Sequence, residues 1–175
     1  MEIVDIYDCD RNIIRNGERF ELRSNDEYLL AVHNWLIDDA GRILLQKRAA
    51  CKKYDPNKWG VTGGFARAGE SSADACIRET QEEVNISLHL SEMKNVICYS
   101  LGNIHYDVWI SRIPHIDFPL VLQESEVSDA AWITLAELDA LDFENGLGML
   151  CGAPVQCQKY YYLPLLKTIL NDNLF

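Results

Sequence analysis

Gly64–Ile86 reads GFARAGESSADACIRETQEEVNI, a glycine-bearing loop running into a helix that carries three carboxylates within five residues. Glu79, Glu82 and Glu83 stand at i, i+3 and i+4, so on a helix they fall within roughly 100° of one another and project as one cluster. Like charges so placed repel. Each such pair costs a helix about 0.2–0.5 kcal/mol, so the cluster calls for a counter-charge that the chain itself does not supply. A hard divalent cation suits it, because Mg²⁺ or Mn²⁺ prefers carboxylate oxygen and water. Ala73, Ile77, Thr80 and Val84 recur at spacings of four, three and four and form a stripe for burial, separate from the acidic face. Ser71 or Ser72 is a competent N-cap, while Gly63, Gly64 and Gly69 let the loop bend and bring backbone close to a ligand. Taken alone, three glutamates on one face read most simply as a solvated surface. The loop in front of them changes that balance.

Gly64, five residues, Glu70, seven residues, then Arg78-Glu79-Thr80-Gln81-Glu82-Glu83-Val84-Asn85-Ile86 resembles the Nudix box, G-x5-E-x7-R-E-U-x-E-E-x-G-U with U aliphatic. Every charged position is kept. The segment departs at Thr80, where an aliphatic residue is usual, and at Asn85, where glycine is usual. Thr still offers a methyl to the core, and Asn tolerates a left-handed helix end. The resemblance implies an α/β fold, specifically an α/β/α sandwich with a mixed β-sheet, and a Mg²⁺- or Mn²⁺-dependent hydrolase. Its reaction would be cleavage of a diphosphate linkage in a nucleoside diphosphate joined to some group X. It further implies that Glu79, Glu82 and Glu83 hold the metal with the Gly63 carbonyl, and that Glu79 or a glutamate outside the box takes the proton from water. Glu126, in a loop before a strand, is the candidate for that outside carboxylate, and Glu124 the second. Arg78 and Glu70 read as a structural pair that keeps the helix in register beside Gly64.

Other assignments rest on residue type alone. Lys47, Arg48, Lys52, Lys53 and Arg67 are possible phosphate partners by charge, and Trp35, Tyr54, Tyr99 and Tyr106 offer ring platforms. The plain alternatives are a core tryptophan at Trp35 and a solvated loop at Lys52-Lys53. His33, His105 and His115 share no metal-ligand spacing and read as incidental.

With 175 residues, 48% of them hydrophobic, the chain can bury the core of one domain spanning 1–175. Its net charge of −11 argues against binding a nucleic-acid backbone, but not against a phosphate substrate, since a bound cation reverses the local field. Six cysteines show no CxxC pair and no zinc spacing, which suits free thiols in a reducing cytoplasm. No run approaches a membrane span, and Met1-Glu2-Ile3 begins no signal peptide.

Taken in order, Glu2–Tyr7 and Ile13-Ile14 flank a turn and predict an N-terminal hairpin within residues 1–26, an extension suited to a homodimer contact. Arg15–Asp26 has no clear pattern. Leu29–Ile37 and Arg42–Arg48 read as strands about a turn at Asp38-Asp39-Ala40-Gly41, Ala49–Lys58 as a loop, and Trp59–Phe65 as a return to the sheet. Val96–Leu101 and Ile104–Ile113 pair through Gly102-Asn103, and Ala130–Ile133 is a short strand. Thr134 and Glu137 form a capping-box signal for a helix through Leu141. Asp142–Gly152 reads as a loop, and Val155–Leu170 as a helix that Pro164 must kink or divide.

Trp35, the LLQKR run of Leu44–Arg48 and Lys58-Trp59 also resemble the isopentenyl diphosphate isomerase branch of the same superfamily. That branch uses a Cys and a metal-binding His in the loop before the helix, where this chain has Gly63 and Phe65. An isomerase is therefore the alternative reading. A non-catalytic binding module is the third, weakened by the survival of all three helix carboxylates.

Overall fold

Alternation along Leu29–Asp38 divides its side chains between two layers, and that division organises the molecule. The computed structural model describes residues 2–117, 119–140 and 163–171. Their elements are β1 (Ile3–Tyr7), β2 (Ile13–Glu18), β3 (Leu29–Asp38), β4 (Ile43–Arg48), β5 (Trp59–Gly60), β6 (Thr62–Phe65), α1 (Ser72–Val84), β7 (Met93–Leu101), β8 (Ile104–Ile113), β9 (Val127–Ile133), α2 (Leu135–Ala140) and α3 (Leu163–Asn171). β1 and β2 form an antiparallel hairpin. The other strands form one sheet along the path β5-β4-β3-β8-β7, with β6 added on β3 and β9 on β4. β3 and β8 run parallel and the remaining pairs antiparallel, so the sheet is mixed.

From β3, Trp35 and Ile37 point into a cluster with Val108, Ile110, Leu138, Leu163 and Leu166, which lies under α2 and α3. Leu30, Val32 and Leu36 point the other way, onto Ala75, Cys76 and Val84 of α1. Helices thus cover both faces, in an α/β/α sandwich. Trp35 is 0% exposed on the face away from α1, so it is a core residue and cannot serve as a ligand platform. The hairpin buries Val4 and Ile6 against Leu29, with Leu22 and Phe65 alongside. Among the described residues no helix is long and apolar enough to cross a membrane. Residues 163–171 are helical, whereas the expected loop at 142–152 and most of the helix start expected at 155 lie outside the described residues.

α1 begins on Ser71, whose side chain accepts from the Asp74 N–H while Asp74 reaches back, and ends on Asn85 in the left-handed region at φ 56°. Its core face differs from the expected stripe. The buried residues are Ala75, Cys76, Thr80, Glu83 and Val84, so the face is rotated away from Ala73 and takes in one of the three glutamates. Thr80 has a positive reason to be polar: its hydroxyl donates to the Cys76 carbonyl at 2.8 Å and accepts from Asn34 Nδ2 at 3.0 Å. Asn34 Oδ1 in turn accepts from Ser111 Oγ at 2.8 Å, which ties α1, β3 and β8 together inside the core. Thr80→Val keeps the shape but orphans the Asn34 donor, and is expected to destabilise the fold by about 1–3 kcal/mol. Denaturant unfolding of the variant measures it, and a stabilised Thr80→Val would show that this relay is dispensable.

Candidate active site

Glu83 holds the centre of the site from the C-terminal turn of α1. It is 4% exposed, and its Oε2 accepts from Gln46 Nε2 at 2.8 Å and from the Gly63 N–H at 3.1 Å. No cation pairs with it in any described contact. Burial, then the charge of Glu79 and more weakly that of Glu126, push its carboxyl up to about 8. The acidic face and the core face therefore meet at Glu83, which corrects the expectation that they are separate. Gln46 was missed in the sequence, although a polar residue at an inward position of an apolar strand was a usable signal.

Glu79 and Glu82 are arranged differently. Arg78 donates to Glu70 through Nε at 2.7 Å and Nη2 at 2.9 Å, to the Phe65 carbonyl at 3.0 Å, to Glu79 at 2.8 Å and to Glu82 at 3.2 Å. Arg67 adds a second contact to Glu82 at 3.2 Å and reaches Glu2, just before β1, at 3.0 Å. The chain thus supplies a counter-charge to two of the three carboxylates, contrary to what the repulsion argument from the sequence requires. Burial raises the Glu79 carboxyl even so, with Arg78 opposing. Burial also pushes Glu70 upward, but the Arg78 hydrogen bonds win and hold it below the ordinary carboxylate range. A Cβ on Gly64 would lie 2.2 Å from Glu79 Oε1, which explains the need for glycine there.

A cavity of about 800 Å³ opens over these groups. Glu126 lines it from the loop before β9 and is paired with Lys52. Arg48, Lys53, Arg67 and Tyr54 also line it, as do His33 and Tyr106. His33, expected to be incidental, stacks on Tyr106 at 5.5 Å, and burial pulls it down to about 4, so it stands in the wall as a neutral imidazole. Lys47 alternates with Gln46 and Arg48 along β4 and is not part of the lining, and neither are Tyr99 and Glu124. His105 and His115 are engaged elsewhere, with Ser100 and with Asp38.

The donors suit a hard cation. Glu79, Glu82, Glu83 and the Gly63 carbonyl are all oxygen, and Glu83 is a buried carboxylate lacking a cationic partner, a lack that a divalent ion would remedy. Among the described residues no three His, Cys, Asp or Glu side chains already converge on one point, since Glu79 and Glu82 are turned onto the arginines.

Comparison with known proteins gives a consistent result. Residues 27–148 match the family model described as the NUDIX domain. An uncharacterized Nudix hydrolase of Listeria monocytogenes is 35% identical over 143 residues, which cover 81% of this chain and 85% of that protein. The uncharacterized Nudix hydrolase YfcD of Salmonella typhi is 30% identical over 141 residues, covering 79% and 76%. Among solved structures, a Deinococcus radiodurans protein matches at a TM-score of 0.66 and 21% identity over 85% of this chain and 94% of its own. The NUDIX domain of Shewanella oneidensis NrtR, crystallised with ADP ribose, matches at 0.62 and 16%, over 88% and 94%. At these identities the structures speak for the fold alone.

Proposed function

We propose that this chain, which belongs to the Nudix hydrolase family, hydrolyses a diphosphate linkage in a nucleoside diphosphate derivative, with Mg²⁺ or Mn²⁺ as its cofactor. The observation that carries the reading is Glu83, a buried carboxylate with no cationic partner among the described residues, in a cavity that basic side chains also line. Glu79, Glu82 and Glu83 would hold the ion, with the Gly63 carbonyl. Bound there, it would neutralise charge developing on the phosphates and lower the pKa of water.

The chain's own groups do the rest. Gln46 and the Gly63 N–H fix the Glu83 carboxylate, and Arg78 fixes Glu79 and carries Glu70 with it. Arg48, Lys52 and Lys53 draw the phosphates into the cavity. Glu126 is the group we assign to accept the proton from the attacking water, because Glu79 is occupied by Arg78 while Glu126 is held only by a lysine that a phosphate can draw away.

The isomerase alternative needs a thiol at position 63. A Cβ there would lie 2.2 Å from the Val32 carbonyl oxygen and 3.1 Å from His33 Cδ2, so the backbone excludes the side chain as well as lacking it. Cleavage of a panel of nucleoside diphosphate derivatives into two phosphomonoesters is expected with Mg²⁺ present, to vanish with chelator and to return with Mn²⁺. Undiminished turnover after exhaustive chelation, or conversion of isopentenyl diphosphate to its isomer, would remove this reading.

A further inference from the structure

Glu2, Arg19 and Phe20, which flank the strands of the N-terminal hairpin, line the same cavity as Lys52 and Lys53. Residues 59–65 form one wall of it. At one end Lys47 pairs with Trp59, and the Arg48 N–H donates to the Lys58 carbonyl at 2.9 Å, which anchors the loop carrying Lys52 and Lys53. At the other end Phe65 pairs with Ala31 and meets the segment after β2. Such a stretch spans at most roughly 20 Å, with Gly63 and its bond to Glu83 between the ends.

Phe20 occupies the far end, and two of its properties are unusual together. Its side chain is 58% exposed although large and apolar, and its backbone sits at φ 71°, a region that an aromatic residue rarely adopts. The ring is nevertheless held in place. Phe65 meets it edge-on at 5.2 Å and 81°, and the Arg19 guanidinium lies 5.3 Å from the Phe20 ring and 5.4 Å from the Phe65 ring. Arg19 is fixed by Glu2 at 2.8 Å, and Glu2 also holds Arg67, which holds Glu82. A strained backbone that keeps an aromatic face in water at the mouth of a cavity gains nothing from burial. It gains from a ligand that covers the face.

Resting on the hydrolase reading above, we propose that Phe20 is a specificity-determining residue, the platform on which a planar ring of the substrate stacks while its phosphates lie toward the carboxylates and lysines. The substrates this chain prefers are then ring-bearing nucleoside diphosphate derivatives, in preference to ring-free diphosphates. The hairpin acts as a recognition wall.

Calorimetric titration of the full chain in Mg²⁺ with ADP and with methyl diphosphate tests the proposal, with hydrolysis of the methyl esters of both read separately. Wild-type protein is expected to bind ADP at least tenfold more tightly than methyl diphosphate, the size of one base–aromatic stack. Phe20→Leu should abolish that preference while leaving affinity for methyl diphosphate within error, and Phe20→Tyr should retain it. Equal binding of the two ligands by wild-type protein overturns the platform, as does a Phe20→Leu variant that weakens both alike. A Phe20-dependent preference without any hydrolysis would instead keep the platform and remove the proposed reaction.

Discussion

Glu83→Gln is expected to lower turnover by two decades or more while leaving the metal-free protein at least as stable as wild type at pH 8. The amide oxygen can still accept from Gln46 and from the Gly63 N–H, so the contacts at 2.8 and 3.1 Å survive and only the charge is lost. Folding raises the Glu83 carboxyl from 4.5 to about 8, so the folded state holds this proton more tightly than the unfolded chain does. The stability this confers is fully present below about 4.5 and is lost as the pH rises through about 8. Metal-free wild type should therefore melt at progressively lower temperature across that window, and Glu83→Gln should flatten the decline. Divalent affinity of the wild type should rise over the same window, since the proton has to leave first. Melting curves at pH 5 and pH 8, with Mn²⁺ titrations at each, make the comparison. A Glu83→Gln protein that unfolds far below wild type at pH 8 would mean that Glu83 has a cationic partner in the fold, and the metal assignment would go with it.

Arg78→Met is expected to destabilise the fold by about 2–4 kcal/mol and to cost most of the activity, even though Arg78 faces no reacting group in this arrangement. Its guanidinium satisfies Glu70, Glu79, Glu82 and the Phe65 carbonyl from a side chain only 14% exposed. Methionine fills much of that volume but leaves carboxylates beneath it without a donor, and stripping one partner from a buried ion pair is costly. Glu70 keeps about a fifth of its side chain in water, at 20%, which places the expected loss toward the lower part of the range for buried pairs. Glu79 also loses its orientation against Gly64, and the ion-holding face with it. Denaturant titration gives the stability, and kcat at saturating Mg²⁺ gives the activity. A normal Arg78→Met enzyme would show that Glu70 and Glu79 find their positions without it, which would leave the pairing ornamental.

Both experiments separate what a one-dimensional pattern carries from what packing adds. The spacing of Glu79, Glu82 and Glu83, the glycines before them, an N-cap at Ser71 or Ser72 and Asn85 as the left-handed helix end were legible in the chain, because each depends on residues within one or two helical turns. So were the strands at Leu29–Ile37 and Arg42–Arg48, the hairpin and the mixed sheet. Which side of β3 faces which helix was not legible. Period two separates Trp35 from Val32, but only the side on which α1 packs makes Trp35 core and brings His33, from the same face as Trp35, to the cavity wall beside Gly63. The pairing of β3 with β8, far apart in sequence and parallel, likewise depends on how the intervening chain crosses over.

The electrostatics show the same limit. Repulsion among three glutamates was computable from their spacing, and Arg78 on the same helix answers part of it, whereas the rest of the answer came from outside the helix. Arg67 lies 15 residues from Glu82 and reaches it across the loop, and Gln46 lies 37 residues from Glu83 and reaches it across the sheet. The burial that pushes Glu83 up to about 8 is a property of the assembled layers and of the face that α1 turns inward, and the hydrogen bonds from Gln46 and the Gly63 N–H oppose it only in part. The sequence by itself determined that a carboxylate helix follows a glycine loop in a mixed α/β domain. Tertiary structure alone decided which of those carboxylates is dry, because desolvation depends on what covers a side chain, and what covers Glu83 comes from strands remote from it in sequence.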